Sequence, residues 1–342
     1  MLHPLILAVA VVDLCALALL IPATWTAIRV VRDWSPGAAD RRQLALERRA
    51  EAASLQGRIA WGLLLGGGIL FVTGIASILP DLVPGAMCGT GVDQATRGGA
   101  TRAIAVRGLA FAALSAWHLL ERLDASVPTA PLRRGAARLL LVATPLVALS
   151  IGATLYAYAA LDTYGVVECC TVAYDALALR GGIVGPAWLP DALLLWAFGG
   201  GALVLAAGGA WLGRTSPIRA GLPFGLALAV LVWVPLSYLA LIRVLAAYHY
   251  EVLAHHCPWC LFLGEHHLVG YPLFAALAWV ALEGPAAALA WEAGRQEPTV
   301  APAAMRRVRR AGVHLVIATL AFVALAAGPA LVWRLRFGVW MG

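Results

Sequence analysis

The chain has 342 residues, 62% of them hydrophobic and 13% charged, and its formal charge of +7 rests on 25 arginines with no lysine. Soluble globular domains are about 45–50% apolar, so this composition excludes an ordinary water-soluble fold. It also excludes reading the positive charge as a nucleic-acid surface, because the arginines fall mostly in connections between apolar runs.

Runs of roughly 20 apolar residues recur along the chain, each long enough to cross a ~30 Å hydrocarbon layer as a helix. They predict eight spans, at about 4–27, 59–79, 103–120, 139–161, 190–212, 221–247, 269–292 and 313–334, within one transmembrane domain covering 1–342. The expected fold class is an all-α polytopic membrane bundle with cysteine-bearing extracytoplasmic loops.

The first span lacks a basic leader and is too long for the apolar core of a removable signal. It holds Cys15, which reads as a small buried apolar residue, and Asp13, near mid-membrane by helical rise. Residues 32–58 follow as a charged cytoplasmic loop or helix, whose 40–57 portion extends the second span near anionic headgroups. After the second span comes Met87-Cys88-Gly89-Thr90-Gly91, and after the fourth Glu168-Cys169-Cys170. The sixth leads into His255-His256-Cys257-Pro258-Trp259-Cys260, with Glu265, His266 and His267 close behind. Glu283 lies deep in the seventh span. A bare carboxylate at the depth of Asp13 or Glu283 is costly, so each demands a partner, a proton or a functional role. Arg107 and Arg243, read as lying near the outer ends of their spans, are expected to pair with Asp162 or Glu251.

Alternate connections divide the arginines 18 to 7. The positive-inside rule puts the richer side in the cytoplasm and both termini outside, and the heavy use of Ala, Gly, Arg and Leu points to a bacterium and so to its inner membrane. Cys88, Cys169, Cys170, Cys257 and Cys260 then share the extracytoplasmic side, where disulfides persist.

Cys257-Pro-Trp-Cys260 resembles the active-site pair of thioredoxin-type proteins over those four residues. No βαβ pattern surrounds it, and Leu261 after the pair excludes covalent haem attachment. Three functions remain open. In a thiol–disulfide oxidoreductase, Cys257 attacks, its thiolate stabilised by charged histidines, and Cys260 resolves. Cys169 and Cys170 then form a second station, Cys88 is the exchange partner, quinone accepts electrons and a periplasmic thiol protein docks. In a copper or zinc binding and delivery protein, Cys257 and Cys260 combine with His266 or His267, or with His255 or His256, and Cys169 or Cys88 is a fourth ligand, with Met87 as a thioether and a metallochaperone as partner. In a transporter, Asp13 and Glu283 carry the function and loop disulfides are staples.

Overall fold

The computed structural model describes residues 3–35, 38, 40–167, 188–215, 218–219, 221–253 and 255–341. It is all-helical, with no strand among the described residues. Among the described residues, eight helices are long and apolar enough to cross a membrane, which fits a multi-pass membrane protein.

The helices are α1 (Pro4–Asp33), α2 (Arg41–Thr73), the short α3 (Gly89–Ala95), α4 (Gly99–Asp124), α5 (Arg133–Ala159), α6 (Asp191–Arg214), α7 (Gly221–Ala240), the short α8 (Ala246–Tyr250), α9 (Gly270–Gln296) and α10 (Ala301–Phe337). The charged 41–58 segment is the first half of α2. The Asp40 carboxylate starts that helix by accepting from the Gln43 amide at 2.7 Å. Two helices end in π-helical turns, Gly74–Ile78 after α2 and Leu241–Leu245 after α7. Pro22, Pro145, Pro235, Pro285 and Pro329 sit inside helices. Membrane helices accommodate them where neighbouring groups satisfy the freed carbonyls.

The chain divides into two compact units. The first comprises Met1–Ile75, Ala95–Asp162 and Leu289–Met305. Its helices α1, α2, α4 and α5 pack through small and branched residues such as Ala16, Leu20, Leu64, Ala110, Leu114 and Val147, all buried. Arg107 ties all four together. From α4 it donates to both carboxylate oxygens of Asp13 on α1, to Thr154 Oγ1 on α5 at 2.9 Å and to the Leu64 carbonyl on α2 at 3.4 Å. Gly67 leaves the room, since a Cβ there would lie 2.7 Å from Asp13 Oδ1.

This corrects the expected pairing. Arg107 is eight residues inside a helix that begins at Gly99, so it lies level with the deep Asp13 and not at the helix end. Arg243 pairs with Asp191 at 2.5 Å, because the π-turn carries it inward and leaves its side chain only 6% exposed. Cys15 is also corrected. It sits on the exposed face of α1, while Asp13 and Ala16 take the buried one.

The second unit comprises Ala76–Gln94, Thr163–Ala288 and Arg306–Gly342. Its core joins α6, α7 and α10 through Phe198, Trp233 and Phe322, with Trp233 Nε1 donating to the Phe198 carbonyl at 2.8 Å. Leu203, Leu228, Leu231 and Leu331 point outward, as a bilayer solvent permits.

Candidate functional site

The second unit brings together two chain segments 169 residues apart in sequence. The first leaves α2 through its π-turn and a 3-10 turn at Leu79–Leu82, reverses at Gly85 with φ 81°, and places Cys88 immediately before α3. The second leaves α7 through the other π-turn, ends α8 at Tyr250, and reverses at Glu251 with φ 55°. Cys257 lies in the connection that follows. Cys260 opens a one-turn 3-10 helix, Cys260–Phe262, ahead of α9.

Helical turns of the π type recur at functional sites because their wider hydrogen bonding frees a backbone group. Here His256 Nδ1 donates to the Ile242 carbonyl inside the second π-turn at 3.0 Å, fixing the loop against the helix. Tyr250 Oη donates to the Cys257 carbonyl. Phe262 stacks on Phe274 at 5.3 Å and meets Tyr271 edge-on at 5.0 Å, which anchors the segment after Cys260.

The result is a three-thiol cluster. The sulfurs of Cys88, Cys257 and Cys260 all lie within 4.8 Å of one another. The residues are 3%, 3% and 8% exposed. Cys88 Sγ is 3.5 Å from Cys257 Sγ, and Thr90 Oγ1 is 2.9 Å from Cys257 Sγ. A disulfide needs about 2.05 Å, so these are thiols, and none of Cys15, Cys88, Cys257 and Cys260 is in a disulfide. The expected loop disulfides are therefore not seen among the described residues. Cys169 and Cys170 lie outside those residues.

Hydrogen bonding makes Cys257 the anionic member. Donation from Cys260, then from Cys88, and also from Thr90 holds its thiol well below the ordinary range, against the burial that opposes ionisation. Cys260, as donor, is pushed the other way. The cause expected from sequence was positive charge on neighbouring histidines, and the structure replaces it. Burial, with His266 and His256 nearby, lowers the His255 pKa to about 4, so its ring is neutral at pH 7. Burial also lowers that of His266. Both rings pack edge-on against Tyr250, at 4.2 and 4.7 Å between centroids.

None of the four histidines joins the sulfurs in the three-residue cluster. His267 and Glu265 are exposed on the turn before α9, and Met87 is 70% exposed. Thr90 and Tyr250, by contrast, hold the site without having been singled out for it. The sequence presented Thr90 only as part of a flexible Gly-Thr-Gly turn.

Trp259 lies between Cys257 and Cys260 in the chain and is buried. Its indole lies against Gly89, where a Cβ would come within 2.6 Å of Trp259 Cδ2. Gly89→Ala is therefore expected to displace the indole and raise alkylation of Cys88 and Cys257 several-fold, quantified by mass spectrometry. An unchanged rate would show that the indole is not the barrier.

Of the two deep carboxylates, Asp13 is fully buried and closed by Arg107 in the first unit. Glu283 lies in the second unit, on α9. It accepts from Arg307 Nη1 at 2.7 Å, His314 Nδ1 at 2.9 Å and Trp279 Nε1 at 3.2 Å. Neither carboxylate belongs to the thiol cluster. Comparison with protein-family models, with curated proteins and with solved structures finds no match for this chain.

Proposed function

We propose that this is a membrane protein that binds and hands on a soft metal ion, copper(I) or zinc, through Cys88, Cys257 and Cys260. The observation that carries the reading is the convergence of three buried sulfurs, within 4.8 Å of one another, from two distant segments. Metal–sulfur bonds of about 2.3 Å place neighbouring thiolates roughly 4 Å apart, a separation that this cluster brackets and a disulfide does not. A cation also answers the charge problem, because Cys257 is ionised while the nearby imidazole of His255 is neutral. Soft thiolates select soft ions. The burial of all three sulfurs keeps water out, and Thr90 orients the central sulfur.

The 18 to 7 arginine division supports placing this site on the extracytoplasmic side of a bacterial inner membrane, with both termini on that side. The natural donor or acceptor is then a periplasmic metallochaperone.

One observation favours a second reading. The 3.5 Å contact between Cys88 and the ionised Cys257 is an approach suited to thiol–disulfide exchange. In that case two thiols lose two electrons and two protons to a quinone, giving a disulfide and a quinol, and a periplasmic thiol protein re-reduces the disulfide.

A single preparation separates the two. Metal analysis of the purified protein is expected to give close to one copper or zinc per chain, falling below about a tenth in Cys257→Ser as a metal-bound thiolate is lost. Thiol trapping of membranes on the same sample is expected to find Cys257 and Cys260 reduced. A metal-free protein whose cysteines shift to a disulfide on adding a water-soluble quinone would replace the first reading with the second.

A further inference from the structure

We propose that the first unit carries a binding site for an anionic phospholipid, formed where the end of α1 meets the start of α2. A cavity of about 500 Å³ opens there, lined by Arg29, Asp33, Arg42 and Arg49 among others. These three arginines differ in their partners. Arg42 pairs with Asp33 at 3.3 Å, whereas Arg29 and Arg49 make no ion pair among the described residues. Asp40, also on the wall, is spent on capping α2. The cavity thus offers two guanidinium groups outside any ion pair among the described residues, in a lining of three arginines and two aspartates, and guanidinium is the donor best matched to a phosphate.

A second observation points to a lipid. Leu14, Ala18, Ile21 and Trp25 recur at three- and four-residue steps on α1 and are all exposed, and Arg29 continues the same stripe. Its guanidinium lies over the Trp25 ring, 5.6 Å from the centroid. An acyl chain along the stripe would deliver its headgroup phosphate to Arg29, with the tryptophan at the interface where such rings settle. Basic pockets at helix ends on the cytoplasmic side recognise anionic headgroups in this way. The occupant is a phosphodiester with net negative charge, as in phosphatidylglycerol.

The test is titration of the purified full chain in detergent with short-chain phosphatidylglycerol, followed by native mass spectrometry. Saturable binding is expected, with phosphatidylcholine bound far more weakly. Arg29→Gln with Arg49→Gln should weaken binding on the order of 30-fold, from the contribution of about two basic residues near a membrane surface. Asp33→Asn should strengthen it, a sign that misfolding cannot mimic. Equal binding of the two lipids, or wild-type affinity in the double variant, overturns the proposal. Displacement by glycerol 3-phosphate at matching concentration would also overturn it, showing a site for soluble phosphate instead.

Discussion

Replacing Arg107 by leucine is expected to destabilise the protein by about 3–5 kcal/mol, among the largest effects of any single substitution in the first unit. From α4 the arginine hydrogen-bonds to groups on α1, α2 and α5, and its loss strands Asp13, which is fully buried. Asp13→Leu should cost a similar amount, because the guanidinium is then the charge left without its counterion. The double variant Asp13→Leu/Arg107→Leu should recover most of the loss, since apolar replacement of a whole buried ion pair is often neutral or better. Denaturant-induced unfolding of the three variants in detergent micelles measures this. If both single variants lose less than about 1 kcal/mol, the pair is a solvated contact and not the clasp of the four-helix unit. A closed bidentate pair also argues for a structural Asp13 over a carboxylate in transit between protonation states.

Alkylation of Cys257 in the metal-free protein should be nearly independent of pH between 8 and 6. An ordinary thiol with a pKa near 8.5 loses thiolate about 80-fold over that range, and reacts correspondingly more slowly. The sign follows from the hydrogen bonds. Donors from Cys260, Cys88 and Thr90 stabilise the ionised form, so the Cys257 proton has left well before pH 6 is reached on raising the pH. A small alkylating reagent such as iodoacetamide, which forms a stable thioether, read out at Cys257 by mass spectrometry, gives the profile, with the denatured chain as reference. Thr90→Val and Cys260→Ser should each restore part of the slope. A profile parallel to that of the denatured chain would remove the thiolate assignment altogether. The same assignment governs metal loading, which should release about two protons per ion near neutral pH, from Cys88 and Cys260, and not three.

The spans were readable because a bilayer imposes a minimum apolar length, and all eight appear as helices. That Asp13 needs a partner was readable from its place inside an apolar run. Its partner was not. Arg107 was placed from the edge of an apolar run, but α4 starts at Gly99, and only packing reveals which faces of α1, α2 and α5 converge on it. The thiol cluster was half legible. Alternation put Cys88 and Cys257 on one side of the membrane, yet nothing local requires sulfurs 169 residues apart to meet. The histidines misled for a physical reason. Adjacency in the chain suggested charge beside Cys257, but burial against Tyr250 keeps His255 neutral. Thr90 and the seat of Trp259 on Gly89 have no periodic signature, because both arise from contacts between distant segments.

The two π-turns have a bearing on how such a site can arise and be lost. Each occurs in the helix that leads to one of the converging segments, Gly74–Ile78 before Cys88 and Leu241–Leu245 before Cys257. A π-turn holds one residue more than the α-helical turn it replaces, so removing that residue would swing everything downstream by about 100° around the helix axis. The direction in which each cysteine segment departs is therefore written in the phase of a membrane helix, well away from the sulfurs themselves. Single-residue deletions at either turn would therefore dismantle the cluster while leaving every cysteine in place.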